Sequence, residues 1–164
     1  MSLFENCQYR WRETYFVQFP SRNRPTLEKV RQALSMVGDR LELTGMAGDK
    51  QGRFESLTIL APDDFAALDI SYISGPEVLE QGAELAGELA AAGCRAGDQV
   101  SLGQLREYDA RFDVLHFERV GDIEDAEEEG SEGMLDPSAL LLVLDALAEL
   151  TGGIAVDPQT GTML

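Results

Sequence analysis

Residues that carry chemistry are scarce in this 164-residue chain, which has one histidine, two cysteines and one tryptophan. The lone His116 removes most metal and acid–base constellations, and no GxSxG elbow accompanies it as a nucleophile. Cys7 and Cys94 are far apart and form no CxxC, which favours reduced thiols over a disulfide framework. Cys94 also follows the C-terminus of an expected helix, the wrong end to lower a thiol pKa. Phosphate cradles are missing: there is no GxxxxGK followed by Ser or Thr, and no GxGxxG after a strand. The longest apolar run, ALLLVL at 139–144, is closed by Asp145 and is too short to cross a bilayer. The opening MSLFENCQYRWRE lacks an apolar h-region, so no signal peptide and a cytoplasmic location are expected.

Positive charge is the other shortage. Thirteen bases against thirty acids leave a net charge of −17. Such a field repels nucleic-acid phosphates and anionic lipid, and favours cationic partners. The imbalance is uneven. Residues 1–31 carry a net +3 through Arg10, Arg12, Arg22, Arg24, Lys29 and Arg31, whereas residues 32–164 carry −20. A basic head on an acidic body can fold back on it or pair between copies, but a plain surface arginine cluster is the preferred reading, because exposed ion pairs contribute little. Trp11 among Tyr9, Arg10 and Arg12 is an aromatic-basic mixture of the kind that stacks on single-stranded RNA, but four such residues in so acidic a chain are better read as an arm packing on the fold.

What is present is a well-patterned globular chain, 44% hydrophobic, whose length suits one compact domain spanning 1–164. Tyr15, Val17 and Phe19 alternate in a strand at 13–19, preceded by an N-terminal arm at 1–12. Leu27, Val30, Leu34 and Val37 recur at helical spacing after Pro25. Strands are expected at 40–45 and 53–61, with a turn at 46–52 between them. A further strand carries Leu68, Ile70 and Tyr72 at period two. The clearest helix is 74–93, where Ser74 and Glu77 form a capping-box pattern and Gly82, Ala83, Ala86, Gly87 and Ala90 leave a smooth surface. Residues 97–105 read as a short helix or turn. Both parities of 110–120 are apolar, as in a central strand. A helix at 136–153 begins with Asp136 and Pro137, and a hairpin turning at 157–161 closes the chain.

This order implies an α+β fold: an antiparallel or mixed sheet with helices on one face, ferredoxin-like, built from two βαββ units. The closing GGIAVDPQTG resembles the endings of small bacterial proteins, and implies no more than a helix stop and a hairpin.

The segment GDIEDAEEEGSEGMLDP, residues 121–137, holds eight carboxylates and no base. Counted from Asp122, an EF-hand loop would need Gly at Glu127 and Glu at Gly133, so that calcium motif fails. The segment reads as a solvated acidic loop at 121–136. Asp122, Glu124, Asp125, Glu127, Glu128, Glu129 and Glu132 are its candidate contacts for a basic protein. Asp63 and Asp64 are the other notable pair. With distant carboxylates such as Asp157 they could hold a metal for hydrolysis, although Asp after Pro near a helix start is also what capping demands. His116 shares its strand face with Glu118, which would make a tuned base or a hydrogen-bonded structural histidine.

By subtraction, the expected function is a non-catalytic protein-binding or regulatory module, immunity- or chaperone-like, with no cofactor, no metal and a basic protein partner. Metal-assisted hydrolysis through Asp63 and Asp64 is the alternative. Self-association through the apolar helix 139–150 or the small-residue helix 76–92 is a third reading.

Overall fold

The computed structural model describes residues 9–38, 41–62, 66–93, 99–119, 138–160 and 162–164. The elements run β1 (Tyr9–Phe19), α1 (Leu27–Ser35), β2 (Glu42–Gly48), β3 (Phe54–Ala61), β4 (Ala66–Ser74), α2 (Pro76–Ala91), α3 (Gln99–Leu105), β5 (Ala110–Arg119), α4 (Ser138–Thr151), β6 (Ile154–Asp157) and β7 (Thr162–Met163). The strands form one antiparallel sheet in the order β2-β3-β4-β5-β1-β6-β7. The chain is thus α+β, as the alternating patterns imply. Residues 9–12, expected in an arm, instead continue β1.

The helices do not share one face of the sheet, as the sequence pattern suggested. Helices α1 and α4 bury Val30, Leu34, Leu140, Val143, Leu144 and Leu147 against Val17, Phe19, Leu57, Ile59, Leu68, Ile70, Phe112 and Val114. Helices α2 and α3 place Leu85, Leu89, Leu102 and Leu105 with Tyr108 and Val156, and Phe16 and Ile154 pack against them. Phe16 and Val17 are successive residues of one strand and therefore point to opposite sides. A sheet whose middle strands are apolar on both parities needs cover on both faces, and the two helix pairs supply it.

Phe112 is the hub of the larger core. Its ring lies 4.8 Å from Phe19, 5.3 Å from Phe54 and 6.4 Å from Tyr72, in tilted or edge-on arrangements that suit the ring quadrupoles. Above Tyr72 the Arg24 guanidinium stacks at 4.0 Å and also donates to the Phe54 carbonyl, which ties the start of α1 to the sheet. On the second face Arg111 stacks over Phe16 at 4.1 Å, donates to Asp113 at 2.6 Å and reaches Gln81 of α2.

Local signals set the helix ends. Thr26 caps α1 by accepting from the Lys29 amide at 3.2 Å. The capping box expected at Ser74 and Glu77 is not formed: Gly75, at φ 133°, is the N-cap, and no side chain caps the helix. Ser74 is the last residue of β4, so the strand holds it away from the helix start, and the Gly75 amide bonds the Asp109 carbonyl. Asp136 and Pro137 lie outside the described residues, while α4 runs from Ser138 as the periodicity implies.

The small residues of α2 have unequal roles. A Cβ on Gly82 would lie 3.0 Å from the Leu105 carbonyl oxygen and 3.2 Å from Gln18 Oε1, whereas one on Gly87 would meet nothing within 4 Å. Gln18 itself is wholly buried, and neither amide atom has a partner among the described residues, a local cost beside the close approach of α2. Gly82→Ala is therefore expected to destabilise the fold by about 1–3 kcal/mol through overpacking against a backbone carbonyl. Gly87→Ala, on the exposed side, should instead stabilise it by roughly 0.5–1 kcal/mol through helix propensity. Urea denaturation of the two variants beside the parent checks both signs.

Candidate functional site

The described structure offers two features with chemical potential: a buried histidine at the sheet centre and an acidic stripe on α2. His116 is 1% exposed. Register places it opposite Glu13 on β1 and Leu68 on β4. Its Nδ1 lies 3.4 Å from Glu13 Oε1, and Nε2 has no hydrogen-bond partner among the described residues. Burial drives its pKa below the ordinary value, the Glu13 carboxylate pulls it back up, and the Arg12 charge lowers it again. The Tyr15 hydroxyl bonds the same Glu13, and its pKa is raised by burial first and by that carboxylate next. Tyr15, Glu13 and His116 thus form a chain of polar groups ending in an apolar interior. The arrangement suits a structural, neutral imidazole: its bare nitrogen has no open side on which to meet a substrate.

Sequence reasoning paired His116 with Glu118 because the two share a strand face. Glu118 is occupied elsewhere. Its two oxygens receive Arg10 at 3.1 Å and Arg12 at 3.2 Å, so the basic head does fold onto the acidic body. The register between β1 and β5 shifts between Trp11 and Glu13, leaving Arg12 as the extra residue of a bulge. Such a bulge re-aims side chains along the strand. Trp11, considered as a base-stacking residue, donates from Nε1 to Thr14 Oγ1 at 3.2 Å and stands at the edge of the sheet's second face near Phe117. Periodicity within one strand could not reveal Glu13 as the histidine's neighbour, because the pairing of two strands about a hundred residues apart decides it.

Sequence reasoning passed over the acidic stripe on α2, although its helical spacing could have shown it. Glu77, Glu80, Glu84 and Glu88 recur at spacings of three and four, and all four are exposed. Helical rise sets them along about 16 Å of one line. The helix contains no base, and among the described residues none of the four has a cationic partner. Like charges at i,i+4 cost about 0.2–0.5 kcal/mol per pair, and of the four only Glu77, in the first turn, gains from the helix dipole.

The candidate contacts Asp122, Glu124, Asp125, Glu127, Glu128, Glu129 and Glu132 lie outside the described residues, as do Asp63, Asp64, Cys7 and Cys94. Asp157, the distant carboxylate of the metal reading, is described. It accepts from the amides of Gln159 at 2.9 Å and Thr160 at 3.3 Å, which makes it the turn-forming residue of the closing hairpin. Asp69 is partly buried and accepts from Thr58 Oγ1 at 2.9 Å. Among the described residues no group of three or more His, Cys, Asp or Glu side chains could hold a metal ion, and no described helix is long and apolar enough to cross a membrane.

The depressed pKa of His116 carries a pH signature. An unfolded histidine titrates near about 6.5, so between that value and the lower folded pKa the unfolded chain binds more protons. Stability is then complete above about pH 6.5 and falls as pH drops below it. Denaturation midpoints at pH 7.5 and 5.5 are expected to show this loss in the parent and a smaller one in His116→Gln. Equal losses in both would assign the slope to other groups.

Compared with known proteins, the chain matches no family model and no curated sequence.

Proposed function

We propose that this protein is a non-catalytic binding module that recognises a basic protein partner through its acidic surface. The observation that carries the reading is the row of four exposed glutamates on α2 that have no cationic partner among the described residues. A surface that keeps like charges together against its own stability has them free for a cationic ligand, and a chain at −17 steers such a ligand toward it. The acidic segment 121–137 adds carboxylates of the same sign. A cytoplasmic bacterial protein of immunity or chaperone type is the concrete form of this reading. We read the successions β1-α1-β2-β3 and β5-α4-β6-β7 as two βαββ units in the ferredoxin-like manner, supported by the central β1–β5 pair and by α1 and α4 packing in one core.

A fluorescein-labelled deca-lysine tests the electrostatics. Its binding is expected to be measurable by anisotropy at low salt and to weaken steeply as salt screens the charges. Glu80→Lys with Glu84→Lys should cost roughly tenfold in affinity, about 1.4 kcal/mol. Glu42→Lys with Glu55→Lys makes the same change of net charge on exposed β2 and β3 positions and should cost less. Affinity indifferent to salt, or equal losses from both pairs, would remove the α2 stripe from the account.

A further inference from the structure

Strand β7 stands last in the sheet order. Only Thr162 and Met163 pair with β6, and the Leu164 amide then bonds the Ala155 carbonyl at 2.9 Å. At this edge the two helix layers meet across a cleft of about 370 Å³. Leu141, Leu144 and Ala148 of α4 form one wall, Ile154 and Met163 line it from the sheet, and Ser101 of α3 belongs to the opposite layer. Two exposed leucines stand at the mouth, Leu141 at 50% and Leu164 at 56%, and Leu142, outside the lining, is 52% exposed. Helix α4 was expected to be either buried or a self-association face. Its two outward leucines show that burial alone does not account for it.

One charged side chain lines the cleft, Asp145, with Glu149 one turn further along α4. Among the described residues Asp145 has no cationic partner. These facts select the occupant. A purely apolar ligand would leave the exposed Asp145 carboxylate at the rim without a counter-charge. A second copy would bring another −17 and its own Asp145 to the same edge. An apolar side chain with a lysine or arginine beside it satisfies both the walls and the carboxylate. The volume lies near the lower end of the roughly 300–1,000 Å³ typical of ligand clefts, which suits one large side chain better than a free cofactor.

We propose that this edge cleft seats a large apolar side chain of the basic partner, and that a neighbouring cation of the same segment pairs with Asp145 at the rim. The proposal rests on the basic-partner reading and adds to it a hydrophobic anchor, so that the α2 stripe draws the partner in and the cleft holds it. Charge at the periphery sets encounter and an apolar anchor in a pocket sets retention, a division common at protein interfaces.

Two hexapeptides of equal charge separate the cleft from simple electrostatics: one alternates lysine with leucine, the other lysine with serine. Titrated into the 15N-labelled full chain at low salt, the leucine peptide should saturate, shift the amides of Ala148, Ile154 and Met163, and bind at least about tenfold tighter than the serine peptide. Leu141→Arg, at a half-exposed position that the fold tolerates, should abolish that advantage, and Asp145→Asn should weaken the leucine peptide more than the serine one. Equal affinities, or an advantage that survives Leu141→Arg, would overturn the cleft while leaving the electrostatic reading intact. Failure of both peptides to bind would overturn both. Concentration-dependent dimers in sedimentation that Leu141→Arg dissolves would assign the cleft to a second copy and overturn the proposed occupant.

Discussion

The antiparallel pairing of β1 with β5 is the constraint from which the rest of the molecule follows. It runs from Tyr9 opposite Arg119 to Phe19 opposite Ala110, and joins the beginning of the chain to its second half at the middle of the sheet. Because Val17 and Phe112 face one helix pair while Phe16 faces the other, this strand pair is the seam shared by both cores. Its long sequence separation makes it entropically expensive to close, so the apolar burial on both sides is what holds it. The same pairing sets the polar contacts of His116 and Glu118. It brings Glu13 to His116 and, across the bulge at Arg12, lays two guanidiniums on Glu118.

Those contacts divide the charge of the protein into two populations. Arg10, Arg12, Arg24 and Arg53 are engaged with Glu118 and Asp49, so much of the positive charge near the N-terminus is neutralised within the fold. Exposed pairs of this kind contribute little stability, but they remove cations from the surface potential. The glutamates of α2 have no such neighbours. Each pair cancels an acid as well as a base, so the net charge stays at −17 and the remaining acids carry it; on the proposed reading, the edge beside Asp145 adds shape to that charge. Specific recognition needs both, since charge alone accepts any cation.

How much of this was legible varies with the range of the interaction. Strand and helix identities could be read from period two and period 3.6, and the central position of β5 from its two apolar parities. The hairpin at Asp157 and the α2 glutamate row are equally local. The capping box at Ser74 misled, because β4 claims that residue before the helix can. The placement of the helices misled too, since amphipathicity says that a helix has a buried side and not which sheet face it covers. Glu118 seemed the natural partner of His116 by position in its own strand, and a neighbour from β1 took that place.

By itself, then, the sequence determined the elements, the sign of the field and the poverty of catalytic groups, because composition and periodicity act within a few residues along the chain. Only the tertiary structure decided which strands are neighbours, which carboxylate meets the histidine, and that an apolar cleft opens beside Asp145 where β7 stops. Those outcomes depend on register and layer packing between residues far apart in the chain, and no local pattern encodes them.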